Sequence, residues 1–420
     1  MNEAKTDKQK TRGLVVFDVE GVLLPKRRYI PFEATRQLGF QKFLKIVFYG
    51  LLYEIGFSPL EKTLRRVFRC FKGYTIKELY YYYEKLPLLP ETTEVFQHLH
   101  MNGWKTALIS SGLPEIFIKD LASKLKANYA FGLNLLTVNN KFTGEIDGTV
   151  IKKNGKAIIL KEILNREKIS RQNCVLVADD RNNLQMYPYA RLRISFNPDF
   201  MLSAKTDHAV TGKLSSILAF ITKKRSLKPT ITRNHILRST IHLSGFTIPF
   251  ICTHFLHRYI VASLIFPIAL LYMMSELARM VGMTFPVFTS ITTRAAVKLE
   301  PYEFAAAPIF YALGIMLSLI LFPPNIGYAS IAILALGDGF ASLFGKKLGG
   351  TRYPFNKSKN LEGSIFGFVF AFLGATFFID PMRAFIGAIT GMIVESLPTP
   401  ISDNIAIPLT TGVILTLTFI

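Results

Sequence analysis

From Ile241 to Ile420 the sequence is a succession of apolar segments of nearly membrane-spanning length, and this recurrence restricts the fold more than any other feature. A helix needs about 20 apolar residues to cross the hydrocarbon core of a bilayer. Segments approaching that length run near 241–256, 259–275, 304–322, 326–344, 362–379, 383–397 and 404–420. Several are short and two adjoin closely, so the expectation is an all-α multi-pass transmembrane region of six or seven helices. Pro249, Pro267 and Pro308 fall inside these segments, where neighbouring helices can satisfy the carbonyls that a proline frees. The internal repeats common in transporters are not visible, which counts against a transporter or scaffold.

A chain of 420 residues, half of them hydrophobic, is expected to hold two domains, one of them in a membrane. The basic excess lies in the other one. Residues 238–420 carry 11 basic and 8 acidic side chains, whereas residues 1–237 carry 39 and 21. Such a half is attracted to anionic lipid headgroups, each juxtamembrane Lys or Arg contributing about 1 kcal/mol. Nucleic acid is not expected as a partner, because no basic and aromatic stripe accompanies the charge. Cys70, Cys174 and Cys252 are scattered without CxxC spacing, which gives neither a disulfide framework nor a zinc site and points to a reducing compartment. The opening "MNEAKTDKQKTR" leads into "GLVVF", too short for a signal-peptide core, so the first half is expected to stay untranslocated.

Short basic loops stay on the cytoplasmic side of a membrane. The linker "TKKRSLKPTITRNHILR" and the loop "GKKLGGTRYPFNKSKN" are both strongly basic and are separated by an even number of spans in the seven-helix reading. The same face then receives "SELARM", "TTRAAVKLEPYE", "GDGFAS" and "ESLPTPISDN", while "LHR", "FPPN" and "IDPMR" on the other face are brief. Polar groups at membrane depth are costly, so their gathering at one face argues for a site.

"LGDGFASLFGKKLGG", "KSKNLEGSIFGF" and "VESLPTPISDNIAIPL" resemble successive motifs of the membrane family that contains dolichol kinase, phytol kinase and the CTP-dependent diacylglycerol kinases. "RSTIHLSG" and "SELARM" stand where that family shows an Arg and His pair and a Glu and Arg pair, so the resemblance covers about 235–420. It implies a lipid alcohol, an isoprenoid or polyprenol among the expected substrates, and CTP or another nucleoside triphosphate as phosphate donor. Phosphoryl transfer needs carboxylate-held metal, donors for the nucleotide phosphates and an aligned nucleophile. Asp338 suits Mg2+. Gly337, Gly339, Gly345, Gly349 and Gly350 allow close backbone approach to phosphates, and Lys346, Lys347, Arg352, Lys357 and Lys359 can offset their charge. For Lys346 and Lys347 a lipid-headgroup anchor is an equal alternative. Either Glu362 or Asp403 could bind a second metal or take the alcohol proton. Arg238 and His242 match family positions and could equally be satisfied interfacial residues. A lipid-phosphate cytidylyltransferase is the nearest enzymatic alternative; its terminal proline-glycine-histidine stretch and paired aspartates do not appear.

The first half reads differently. "LVVFDVEGVLLP" is a short apolar strand ending in Asp18, and "KTALISSG", "CVLVADD" and "LRISFN" repeat the pattern between helical stretches. That alternation predicts an open parallel sheet with ligands at the carboxyl ends of its strands. These segments resemble the phosphoserine-phosphatase-like branch of the haloacid dehalogenase superfamily over about 13–205, an α/β Rossmann-like domain with a helical cap, here about 26–95. The resemblance implies Asp18 as nucleophile, Ser110 as the second motif's hydroxyl, Lys156 as the third motif's lysine, and Mg2+ held by Asp18, Glu20 and Asp179. Two positions depart from the branch: Glu20 replaces the usual second aspartate, and Asn183 stands where another aspartate is common.

The expected organisation is a polar tail at 1–12, a hydrolase domain at 13–220, a basic linker at 221–237 and a membrane domain at 238–420. The expected protein is an integral membrane phosphotransferase acting on a lipid alcohol, with a fused Mg2+-dependent phosphatase. Both sites face the cytoplasm at a prokaryotic plasma membrane. A membrane-anchored phosphatase whose helical half is non-catalytic is the alternative.

Overall fold

The computed structural model describes residues 11–25, 39–54, 57–198, 200–222, 233–280, 285, 288–289, 292, 304–399 and 401–418. The start of the tail, residues 26–38 of the expected cap, linker residues 223–232 and most of "TTRAAVKLEPYE" lie outside the described residues. The chain divides into two compact units: 1–202 with 206–226, and 203–205 with 227–420.

In the first unit, β1 (Gly13–Asp18), β2 (Trp104–Pro114), β3 (Tyr129–Val138), β4 (Lys141–Asp147), β5 (Cys174–Ala178), β6 (Leu192–Phe196) and β7 (His208–Val210) form one sheet in the order β4-β3-β2-β1-β5-β6-β7. The β3–β4 pairing is antiparallel and the others are parallel. Parallel strands covered on both faces read as continuous apolar runs, and β1 does: Leu14, Val15, Val16 and Phe17 are fully buried. Its place at the centre, between β2 and β5, brings the carboxyl ends of three strands together. In the cap region, α1 (Phe40–Glu54), α2 (Leu60–Arg69) and α3 (Ile76–Glu84) are helical as expected. Helix α3 starts on a capping box, with Thr75 and Glu78 each satisfying the other's backbone N–H. The remaining labelled helices are α4 (Thr92–Met101), α5 (Glu115–Leu125) and α6 (Gly155–Glu167).

The second unit is helical: α7 (Arg233–Ser244), α8 (Thr247–His254), α9 (Arg258–Met280), α10 (Ala307–Leu321), α11 (Pro324–Leu348), α12 (Leu361–Ala375), α13 (Pro381–Ser396) and α14 (Asp403–Thr418). Its core surrounds α11, where Ala329, Ile331, Ile333 and Leu334 are buried with Ala371, Ala375, Ala384, Ala388, Ile407 and Leu415. Alanines at these crossings let the backbones approach closely. Within α11, Ile333–Asp338 is π-helical, a widened turn frequent at functional sites.

Among the described residues, two helices, Arg258–Arg279 and Pro324–Leu348, are long and apolar enough to cross a membrane. They coincide with the segments expected at 259–275 and 326–344. The span expected at 241–256 is instead broken into α7 and α8. Around Gly245 the backbone bonds run over three residues (Gly245 N to His242 O, Ile248 N to Gly245 O), and a Cβ on Gly245 would stand 1.9 Å from the Tyr311 hydroxyl. The eight residues of α8 extend only about 12 Å. Helices α10 and α12 are apolar and 15 residues long, about 22 Å against a hydrocarbon core of about 30 Å.

Candidate functional sites

In the first unit the site is assembled at the carboxyl edge of the sheet. Asp18 ends β1 and is 3% exposed; its Oδ1 accepts from Lys156 Nζ at 2.9 Å and from its neighbour's Val19 N–H at 2.9 Å. Lys156, in the first turn of α6 and 1% exposed, also donates to Asn183 Oδ1 at 2.9 Å. Asn183 Nδ2 turns the other way, donating to Asp18 Oδ2 and, at 2.9 Å, to Asp180 Oδ1. Where an aspartate was the expectation, the amide thus bridges cation and carboxylates, accepting on one side and donating on the other.

Carboxylate oxygens of Asp18, Asp179 and Asp180 all lie within 4.8 Å of one another. Three hard oxygen donors at this spacing suit a divalent cation such as Mg2+. The chain passes close to the cluster at Gly21: its φ of +79° is in the left-handed region, and a Cβ there would stand 2.2 Å from Asp179 Oδ2. Asp180 was not singled out from the sequence, although the doubled aspartate of "VADD" is a visible signal. Glu20, expected among the metal ligands, lies outside this group. Its Oε1 instead accepts from Ser110 Oγ at 2.8 Å and from Gly112 N at 3.0 Å.

Burial pushes the Asp18 carboxyl up to about 6, with the Lys156 cation pulling the other way and Glu20 and Asp180 adding to the rise. For Lys156, burial works against the charged form, but Asp18, Asp180 and Glu20 outweigh it and the ammonium is held above the usual lysine range. Removing one member of a buried pair costs about 3–5 kcal/mol, so each group keeps the other in place.

The second unit gathers polar groups from six stretches of the sequence: α7, α10, α11, residues 359–364, α13 and α14. Asp338, at the end of the π-helical stretch, has Oδ2 3.2 Å from His242 Nε2 of α7. The same nitrogen is 3.0 Å from Asn404 Oδ1 of α14, and the Tyr311 hydroxyl of α10 donates to the His242 carbonyl. Lys359, in the loop before α12, donates to Glu395 Oε1 of α13 at 2.7 Å and to Asp403 Oδ2 at 2.8 Å. Burial opposes the Lys359 charge, yet Glu395, Asp403 and Asp338 together raise it above the ordinary lysine range, so Asp338 lies within electrostatic reach. Ser364 Oγ donates to Glu395 Oε2 at 3.2 Å.

Other residues singled out from the sequence lie elsewhere. Both Glu362 oxygens accept from Thr351 N, at 3.0 and 3.3 Å, which fastens the loop to the start of α12. Lys346 and Lys347 are exposed in the last turn of α11, with Lys346 Nζ 3.0 Å from His235 Nδ1, and Lys357 gives its carbonyl to Arg352. Gly337 and Gly339 are buried between helices: a Cβ would stand 2.7 Å from Met392 Cε and from Leu243 Cδ2 respectively. Gly349 packs on Asn360, which caps α12 by accepting from Gly363 N. Close helix packing is therefore a physical reason for these three glycines. Glu395 and Asn404 were missed as individual residues, although both lie in the quoted "VESLPTPISDN". In "SELARM", Glu276 is fully buried, 2.7 Å from Arg279 Nη2 and accepting from Ala305 N.

Residues 15–187 match the haloacid dehalogenase-like hydrolase family. The chain is 30% identical over 214 residues to a phosphoserine phosphatase of Archaeoglobus fulgidus, covering 50% of this chain and 60% of that protein. It is 27% identical over 214 residues to one of Methanocaldococcus jannaschii, covering 51% of this chain and 99% of that protein. A solved structure of a phospho-aspartyl intermediate analogue of phosphoserine phosphatase aligns with a TM-score of 0.46 at 26% identity, over 50% of this chain and 100% of that one. Another part of the chain is 33% identical over 140 residues to a probable chloroplastic phytol kinase 1 of Glycine max, covering 29% of this chain and 46% of that protein. The chain thus spans under two thirds of the Archaeoglobus protein and under half of the soybean one. The N-terminal part of this chain is a haloacid dehalogenase-like hydrolase domain with phosphoserine phosphatase homologues, joined to a C-terminal helical part with phytol kinase homologues.

Proposed function

We propose that the protein carries two separate phosphoryl-transfer sites: a metal-dependent phosphomonoester hydrolase over about 13–220, and a membrane-embedded lipid-alcohol kinase over about 238–420. The observation that carries the first is the buried Asp18–Lys156 pair at 2.9 Å beside the Asp179 and Asp180 carboxylates. Mg2+ on Asp18, Asp179 and Asp180 would supply positive charge against the incoming phosphate. An Asp18 oxygen attacks phosphorus and forms an aspartyl phosphate as the ester oxygen leaves. Lys156 holds Asp18 in its anionic form, and Ser110 Oγ with Gly112 N donate to phosphoryl oxygens. Glu20 protonates the leaving oxygen, then takes a proton from the water that attacks the aspartyl phosphate, and inorganic phosphate departs.

The kinase reading is supported by the convergence of Asp338, His242, Lys359, Glu395 and Asp403 and by the phytol kinase likeness of this part of the chain. Asp338 and Asp403 would hold Mg2+ with the nucleotide phosphates, and Lys359 would neutralise developing charge. His242, already against Asp338, would take the proton of the alcohol. Lys346, Lys347 and Lys357 lie in the basic segment that would meet nucleotide phosphates or anionic headgroups. An isoprenoid or polyprenol alcohol and CTP are the substrates we assign to it. A multi-pass arrangement with both sites on the cytoplasmic side of a prokaryotic plasma membrane fits the basic loops and the exposed apolar flank of α9, where Leu264, Phe266 and Ile268 are each about half exposed.

Purified protein in detergent tests the hydrolase half. Phosphate release from a panel of monoesters, phosphoserine and prenyl phosphates included, is expected to vanish in Asp18→Asn and to persist in Asp338→Asn. Release that survives Asp18→Asn would remove the first assignment.

A further inference from the structure

The contact between Glu20 and the end of β2 is not explained by a general-acid role alone. Asp18 and Ile109 are register partners on adjacent strands, so Ser110 and Gly112 lie just beyond, in the stretch of β2 between Ile109 and Pro114 where the register shifts. Ser110 is fully buried and its Oγ already accepts from Leu113 N at 2.9 Å, which orients the hydroxyl. A hydroxyl has one proton to give, and Ser110 directs it at Glu20 Oε1, as does the Gly112 backbone N–H. Two donors aimed at one oxygen, beside a carboxylate nucleophile and a buried ammonium, make an anion-binding seat. In this chain a carboxylate already sits in it. An aspartate at position 20 would be shorter by one methylene, about 1.5 Å of reach.

We infer that Glu20 is a resident anion of the hydrolase unit, occupying the seat formed by Ser110 Oγ and Gly112 N, so that a substrate phosphate must displace it to reach Asp18. The inference rests on the hydrolase reading and deepens it. A phosphate monoester carries a charge of about −1.5 to −2 and three acceptor oxygens, so it outcompetes a single carboxylate oxygen only when concentrated or when the rest of the substrate adds binding. The seat therefore favours phosphate esters with a well-bound organic portion and discriminates against free inorganic phosphate. Once displaced, Glu20 has the reach to face the leaving oxygen, and it serves there as the acid after taking up a proton from water. The longer side chain sets specificity through competition for the phosphate position.

The test is binding of inorganic phosphate to the full-length, Mg2+-loaded protein in detergent, read by calorimetry and as the inhibition constant for hydrolysis. Removing a charge-assisted competitor is expected to tighten phosphate binding about tenfold or more in Glu20→Ala. Glu20→Gln, which preserves shape without charge, is expected to tighten it less, and Glu20→Asp to lower KM. Unchanged or weaker phosphate binding in Glu20→Ala and Glu20→Gln overturns the proposal; if the alanine variant does not fold, the glutamine variant decides. Should the wild-type protein hydrolyse no ester while both variants still bind phosphate more tightly, the hydrolase reading fails and the resident anion stands.

Discussion

In the proposed hydrolysis Asp18 has to be anionic both to bind metal and to attack phosphorus, and its surroundings make that conditional on pH. With the metal-free carboxyl pushed up to about 6 by burial, Mg2+ meets a ready carboxylate above that pH and must displace a proton below it. A raised carboxyl pKa therefore weakens metal binding on the acid side. Mg2+ affinity measured by calorimetry is expected to be nearly flat from pH 7 to 8 and to fall by about tenfold per unit below 6. A flat profile down to pH 5 would contradict an Asp18 carboxyl raised by burial. Legibility at this scale follows sequence distance. Asp18, Lys156 and Asp179 can be read from short motifs, because each lies at a strand end or helix start that the local pattern marks. The Glu20–Ser110 contact joins residues 90 apart, and no local pattern reports which donors a longer carboxylate finds.

The elements of the second unit place their polar groups through backbone contacts as much as through side chains. Gly314 of α10 lies against the Asn404 carbonyl, where a Cβ would stand at 2.0 Å, and a carbonyl cannot swing aside as a side-chain tip can. Gly314→Ala is expected to shift the first turn of α14, and with it Asn404 from His242 and Asp403 from Lys359. The overpacking cost is about 1–3 kcal/mol. Thermal unfolding in detergent should show the loss, with lipid-alcohol phosphorylation reduced and phosphate release unchanged. A variant as stable and active as the parent would remove this positioning role. The helices themselves were legible from apolar length, and the structure brings Lys359 against Asp403 with Asp338 in electrostatic reach, from three separately quoted motifs. Three things were not legible. The break at Gly245 comes from a close contact with Tyr311, Gly337 and Gly339 are placed by Met392 and Leu243, and Glu395 enters through its pairing with Lys359. All are tertiary partners distant in sequence.

For the whole molecule, the two sites are built from separate units, each with its own core. Helix α9 carries Leu264, Phe266, Ile268 and Met274 exposed, a surface that water disfavours by about 25 cal/mol per Å². Alkaline carbonate washing of membranes is expected to leave the protein in the pellet, and release into the supernatant would contradict a membrane-embedded second unit. On the proposed reading, separate sites also mean that each activity can be removed without the other. The most direct measurement is transfer of the γ-phosphate of CTP to a prenol by the purified protein in detergent, comparing wild type, Asp338→Asn and Asp18→Asn. The account predicts transfer by wild type and Asp18→Asn and none by Asp338→Asn; full transfer by Asp338→Asn would contradict it.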